Sequence, residues 1–560
     1  MSSTCSAGAI SACSRKGFPA GTRRVTRSRA RTSAARPSTD MRDLGELSRA
    51  AEQALGWARA QPGVSEVEAF VSANAALLTR LNYTSHIPCN GVEEPKSVES
   101  YGIGLQIVLD APGGRRLGFG SEPNDLSVSG IERAFDKARR AAVADPDFVS
   151  LPRPLAAPRT LSDYHDPALM RVSDERLVEA GWTIIGGALR TFLASSRLAD
   201  LADGEEALRR LGLIIGGDVT MIQERMAIAS TAMPHVQTDE TTLITSFVTS
   251  MVEAHAAKGS GWSTGTRLDD FSDEAGGEAA RAAIAALGGT RVPSGRYTVV
   301  FGRQPVADIL NDLVLPACNA ETFYASASPF LGRVGRRVAS SALSIYDHGA
   351  MPGMMGSKGI TCEGLPTGRT DLIREGVLTG CLSCWYETER LMRDPQRADK
   401  LGGADDAVRA AALVPRNGFR FGAGGGRQFA SRPSIAATNV VVEGAEPLDR
   451  DELFRRVGNG LYVGRIWYTY PINGLRAGDF TCTVTADSYM IRDGRLAEPI
   501  QANTIRINDN IATFLNNVVG VTKDVKGTIV WAADEVVYAP EIAVRDVRID
   551  AIAHVEDSSG

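Results

Sequence analysis

The sequence predicts a two-domain α+β protein: a mixed helix-and-sheet domain over residues 41–290 and a β-rich, barrel-like domain over residues 296–550. Three observations carry this. The first half alternates helical apolar stripes with period-2 strands. The second half repeats short apolar runs separated by Gly, Asp and Asn, the rhythm of a curved antiparallel sheet or barrel. Between them, Gly288-Gly289-Thr290-Arg291-Val292-Pro293-Ser294-Gly295 has the composition of a linker.

Residues 1–40 stand apart. They hold no acid before Asp40, but carry Arg15, Lys16, Arg23, Arg24, Arg27, Arg29, Arg31 and Arg36 among Ser, Thr and Ala. The segment reads as a disordered or targeting stretch, or as sequence ahead of a start at Met41. No apolar core follows Arg23-Arg24, as a twin-arginine signal requires.

Leu44, Leu47, Ala51, Leu55 and Ala58 make a helix of residues 43–60, which Gln61-Pro62-Gly63 ends. Val67, Ala69 and Val71 alternate as a strand, and residues 77–83 read as the next. Ile103, Leu105, Ile107 and Leu109 form a period-2 strand; Ala111-Pro112-Gly113-Gly114 turns it back into residues 116–121. Ser129-Gly130-Ile131-Glu132 has the spacing of a capping box for a helix running to Ala144. A helix over residues 174–192 follows. Three strand-like runs (211–215, 219–230 and 241–252) suggest an antiparallel meander, Gly259-Ser260-Gly261-Trp262 reads as a loop, and an alanine-rich helix covers residues 274–287.

The second half opens with a strand over residues 297–301 and a short helix. Pro305 suits the first turn, because its missing N–H has no helical partner there. Val306, Ile309, Leu310, Leu313 and Val314 share one stripe, which places Asp308, Asn311 and Asp312 off it, and Pro316 ends or kinks the helix. Residues 388–413 read as helices, and residues 417–427, with Gly422-Ala423-Gly424-Gly425-Gly426, as a mobile loop.

Composition bounds the function. The chain has 560 residues, 43% hydrophobic and 23% charged, as in ordinary globular proteins. A net charge of -5 argues against nucleic acid as a main partner. No apolar run approaches the roughly 20 residues of a membrane span. The eight cysteines are scattered rather than framed for disulfides, which fits a reducing, cytoplasmic setting.

Single motifs are weak. Asp308 and Asp312 form an i,i+4 carboxylate pair, expected on a solvated helix face. Cys381-Leu382-Ser383-Cys384 falls in what reads as a strand or hairpin arm over residues 376–387, where i and i+3 point apart, so the cysteines are expected to be structural. Asp347-His348 sits at a strand end without a positioned partner. The glycine run before Arg427 lacks the lysine of a phosphate-binding loop.

A longer series is more specific. Ser328-Pro329-Phe330-Leu331-Gly332-Arg333-Val334-Gly335, Leu343-Ser344-Ile345-Tyr346-Asp347-His348-Gly349, Gly356-Ser357, Glu363-Gly364, Pro366-Thr367 and Leu372-Ile373-Arg374-Glu375-Gly376-Val377-Leu378 occur in an order that resembles the TldD/PmbA family, over residues 41–547. In the TldD-like branch the helix carries His-Glu-x-x-x-His and a later cysteine completes a zinc site. The matching positions here are Asn311, Asp312 and Pro316, with Trp531 near the cysteine's place. Zinc takes imidazole, thiolate or carboxylate.

The resemblance therefore implies a TldE/PmbA-like chain with no cofactor of its own. Its expected partner is a TldD-like subunit that supplies zinc in a heterodimer cleaving unfolded peptides or peptide precursors. It further implies that Arg432 and Asn439 contact a peptide backbone. Two other readings stand beside it: a homodimer that binds peptides without cutting them, and an autonomous metallopeptidase rebuilt around Asp312 and His348.

Overall fold

In the computed structural model, residues 42–553 are described, apart from 88–89, 113, 155–160, 162, 203, 269–270, 423–424 and 532. The expectations for residues 1–40, and for Cys5, Cys13, Cys89 and His554, lie outside the described residues.

The first sheet has seven strands: β1 (Val64–Thr84), β2 (Lys96–Ala111), β3 (Gly114–Pro123), β4 (Val143–Ala144), β5 (Leu213–Ser230), β6 (Gln237–Val252) and β7 (Ala257–Gly265). Their order is β4-β3-β2-β1-β5-β6-β7, antiparallel throughout. Several boundaries differ from the sequence reading. The two early runs are one 21-residue strand, β1. The runs at 211–215 and 219–230 are likewise one strand, β5, and residues 259–262 lie inside β7 rather than in a loop.

Helices α1 (Leu44–Arg59), α2 (Val128–Ala141), α3 (Asp174–Leu193), α4 (Ser196–Leu201), α5 (Glu205–Arg210) and α6 (Glu274–Ala285) complete this half. Asp43 caps α1 by accepting from Glu46 N at 2.7 Å. The cap of α2 is Ser127, not Ser129: its hydroxyl accepts from Gly130 N, and with glycine at the third helical position this is a single cap rather than a capping box.

β1 is buried on both faces from Val67 to Ala75, which hides the alternation expected of a half-exposed strand. Val67, Ala69 and Val71 pack under α1 and α2 with Leu47, Ile131 and Phe135. Phe70, one step out of phase, joins Met226 and Ile228 against Ile360, Cys362, Phe419 and Phe429 from the second half. Leu177, Ile184, Ala279 and Ala283 of α3 and α6 cover the β5–β6 end through Val219, Met221, Ile244 and Val248.

The remaining strands are β8 (Gly295–Phe301), β9 (Leu343–His348), β10 (Arg369–Arg374), β11 (Val377–Leu378), β12 (Gly418–Phe419), β13 (Ser434–Ile435), β14 (Asn439–Gly444), β15 (Gly460–Pro471), β16 (Asp479–Arg492), β17 (Arg495–Pro499), β18 (Ile505–Asn510), β19 (Val518–Val521), β20 (Lys526–Thr528), β21 (Val536–Ala539) and β22 (Ile542–Ala551). Strands β15, β8, β22, β18 and β16 pair in that order, and β16 returns to β15, closing a five-stranded barrel. Barrel closure leaves no free edge among these five. A six-stranded sheet, β11-β10-β9-β14-β21-β20, lies beside it. The α+β reading with a barrel-like C-terminal region is what the chain adopts.

The helix after β8, α7 (Arg303–Ile309), widens into a π-turn at Leu310–Val314 and continues to Ala317. Val306, Ile309, Leu310 and Val314 wedge between barrel residues such as Phe301 and Val544 and sheet residues such as Ile345 and Val442. Three helices, Trp385–Arg393, Arg397–Leu401 and Asp406–Ala412, occupy the stretch read as helical. Of residues 376–387 only Val377–Leu378 form a hairpin arm, paired with β10, and a helix begins at Trp385. Cys381 and Cys384 are nonetheless buried, free thiols. Among the described residues no helix is long and apolar enough to cross a membrane.

Candidate functional site

Glu224, Ile222 and Thr220 of β5 stand directly opposite Thr241, Leu243 and Thr245 of β6, on the sheet face away from α3 and α6. With Trp467 of β15, the segment around Trp531, and Lys358 and Phe421 from the second half, they line a cleft of about 400 Å³. That volume, and the mix of aromatic walls with a few polar groups, are those of a ligand site. Trp467 and Trp531 lie 5.9 Å apart between ring centroids. Gln304, in the first turn of α7, is clamped to the barrel: its Oε1 accepts from Ile466 N at 3.0 Å.

One end of the cleft is a chain of alternating charges. Lys358 Nζ donates to Glu224 Oε2 and Thr241 Oγ1, each at 3.0 Å. Arg427 Nε donates to the other Glu224 oxygen at 3.2 Å, and its Nη1 to Asp239 Oδ2 at 2.7 Å. Tyr164 OH and Gly359 N also donate to Asp239, at 2.6 and 2.9 Å. Burial pushes the Glu224 carboxyl up, but Lys358 and Arg427 outweigh it and hold the group below the ordinary value. At the mouth Asp534 stays solvent-facing, while low-dielectric walls and then the Glu224 charge push it up to about 6.

These contacts correct the reading of residues 417–427 as a mobile loop. Arg427 is 0% exposed and Arg420 is 1% exposed. Arg420 pairs with the equally buried Glu68 of β1. Gly425 and Gly426 have φ of +81° and +80°, where a side chain is strained. A methyl on Gly426 would come within 2.9 Å of Asn74 and Glu224 carbons. The glycines let the backbone lie against the sheet so that Arg427 can reach its acids.

Asp308 also departs from expectation. It is 8% exposed rather than solvated, and accepts from Thr469 Oγ1 at 2.5 Å. Burial pushes it up to about 7, and the Asp312 charge adds to this. Every residue of α7 from Gln304 to Ile309 is buried, so the helix has no solvated face there for Asp308 to occupy. Asn311 Nδ2 donates to Asp312 Oδ1 at 2.9 Å.

Among the described residues lining the cleft, Gln304 and Trp531 appear, but Asn311, Asp312 and Pro316 do not. Of the four motif positions, Asn311, Asp312, Pro316 and Trp531, only Asp312 carries a good zinc donor, and among the described residues no three His, Cys, Asp or Glu side chains converge as a metal site. The residues present do not fit zinc. Asn439 is buried in β14: its Nδ2 donates to His348 O and Ser357 Oγ, and its Oδ1 accepts from Gly356 N. Arg432 is exposed, its guanidinium 5.8 Å over the Tyr386 ring. Neither lines the cleft.

Asp347 is fully enclosed. Burial pushes it up to about 6, against donation from Thr438 and Asn417. Its neighbour His348 is half-buried, with Nδ1 accepting from Ala350 N at 3.3 Å. Sequence reasoning missed Glu224, Asp239, Lys358, Arg465 and Trp467. The lone signal was charge inside apolar strands, as at Glu224 between Ile222 and Met226.

The PmbA/TldA metallopeptidase C-terminal domain matches residues 294–551. Over 252 residues the chain is 25% identical to a metalloprotease of Methanothermobacter thermautotrophicus, covering 45% of this chain and 48% of that one. Over 233 residues it is 25% identical to a TldD-homologue metalloprotease of Haemophilus influenzae, covering 41% of each. The matched stretch thus spans about half the length of these curated relatives. The crystal structure of TldE from Thermococcus kodakarensis superposes with a TM-score of 0.70 at 16% identity, over 90% of this chain and 100% of that one. Residues 294–551 therefore belong to the PmbA/TldA metallopeptidase family as its C-terminal domain, in a chain that shares the fold of TldE.

Proposed function

We propose that the chain is a TldE/PmbA-like, cytoplasmic subunit of a zinc-dependent peptidase complex. In this reading residues 41–290 and 296–550 act as two domains that enclose the cleft, and an unfolded peptide or peptide precursor lies in it. A TldD-like partner supplies the zinc. The observation that carries the reading is one juxtaposition. An aromatic-walled cleft large enough for several side chains lies beside α7, while the helix positions that bind zinc in the TldD-like branch hold Asn311, Asp312 and Pro316. Such a chain can hold a substrate without activating water.

The test is peptidase activity and metal content for the chain alone and co-purified with a TldD-like protein. The expected result is activity only in the mixture, and far less than one zinc per molecule of the isolated chain. Tightly bound stoichiometric zinc, or full activity of the chain alone, would overturn the proposal in favour of an autonomous metallopeptidase. Peptide binding with no activity in any pairing would favour a homodimeric binding protein.

A further inference from the structure

Arg465 lines the same cleft, on β15. The register of β15 against β16 slips between Arg465 and Ile466, and such a bulge re-aims a side chain. The guanidinium lies 4.7 Å over the Phe247 ring, and its Nη1 donates to Thr249 Oγ1 at 3.1 Å. Among the described ion pairs, none includes Arg465. The other cleft cation, Lys358, is already matched by Glu224 at 3.0 Å.

The acids nearest Arg465 are engaged elsewhere. Asp487 accepts from Ser260 N at 3.1 Å and from the Ser260 hydroxyl. Asp308 accepts from Thr469. Burial lowers the guanidinium's affinity for its proton, and these two acids offset that only in part. An arginine keeps its charge even so, and its planar fork of donors matches a carboxylate in a two-point pair. Beside it Phe247 and Trp467 offer apolar wall rather than competing acceptors.

We propose that Arg465 anchors a carboxylate of the bound peptide, with the adjoining apolar residue lying on Phe247 and Trp467. The inference rests on the reading of the cleft as a peptide groove. The carboxylate is either an acidic side chain or the peptide's own C-terminus. In both cases the cleft selects acidic over neutral peptides.

Calorimetric titration of the full-length chain tests this with three N-acetylated alanine-rich hexapeptides carrying one Phe. One ends in a free acid, one in an amide, and one in an amide with a Glu beside the Phe. Either acidic peptide is expected to bind about tenfold or more tighter than the neutral one, as a charge-assisted pair allows. Tighter binding of the first acidic form points to a terminus, of the second to a side chain. R465Q should bring all three within about twofold of one another, and R465K should keep part of the preference. Equal binding of all three to the unaltered chain, or a preference that survives in R465Q, would overturn the inference while leaving the peptide groove intact. No binding of any peptide would remove the groove itself, and the inference with it. Should R465Q fail to fold by circular dichroism, the three-peptide comparison on the unaltered chain and on R465K decides.

Discussion

Arg427 Nη1 donates to Asp239 Oδ2 at 2.7 Å across 188 residues of sequence, with both side chains closed off from solvent. The pair joins a glycine-rich segment of the second half to the centre of the first sheet. Lys358 and Glu224 extend it, so positive and negative groups alternate from the cleft wall inward.

Removing the cation from this chain should be costly. R427M leaves Asp239 without its buried counter-ion and Glu224 with Lys358 alone. The expected loss is about 3–5 kcal/mol, the range for breaking a buried pair on one side. Urea unfolding monitored by circular dichroism measures it, and R427M/D239N should recover part of the loss. A cost below about 1 kcal/mol would show that the segment is not held by this contact.

Glu363 should make stability fall as pH rises. It is 3% exposed and accepts from Trp385 N at 3.0 Å. Burial, and after it the Glu68 charge, push it from 4.5 to about 8, against the Trp385 N–H and the Arg420 charge. Below pH 4.5 both folded and unfolded chains hold this proton. Between 4.5 and about 8 the unfolded chain releases it and the folded chain keeps it, so folding binds a proton and is disfavoured by rising pH. E363Q still accepts from Trp385 but cannot titrate. Relative to the unaltered chain, its melting temperature should be higher at pH 8 than at pH 5 by on the order of 2 °C or more. A parallel pH dependence in both would contradict the assignment.

Trp531 should matter for ligand and not for folding. Its ring is 79% exposed and touches Trp467 at the cleft. W531A should leave stability within about 0.5 kcal/mol, as for a surface change. The same variant should weaken peptide binding by roughly fivefold or more, as loss of an aromatic anchor does. Calorimetry with the acidic hexapeptides checks the second effect and thermal melts the first. Unchanged affinity would place the peptide elsewhere.

Much of the architecture was legible in the residues. The period-2 run from Ile103 to Leu109, the helical stripe of α1 and the apolar stripe from Val306 to Val314 all form, because each packs its periodic apolar residues into a core. The failures share a cause. β1 and β5 were split or blurred because both faces are covered, and one of those faces carries polar residues whose partners lie hundreds of residues away. Asp308 was placed in solvent because α7 too is covered all round, with every residue from Gln304 to Ile309 buried.

By itself the sequence determined the α+β class, the barrel-like second half and the family motif string, since these depend on local periodicity and on residues in fixed order. It also placed Val306, Ile309, Leu310, Leu313 and Val314 on one buried face of the helix after β8. Only the tertiary structure decided that Gly425, Gly426 and Arg427 are anchored rather than mobile, and that Arg465, Trp467 and Lys358 share a cleft with β5 and β6. Those facts are pairings between distant segments. A buried arginine is stable only where folding delivers the acids that match it, and nothing in the residues beside Arg427 names Glu224 or Asp239.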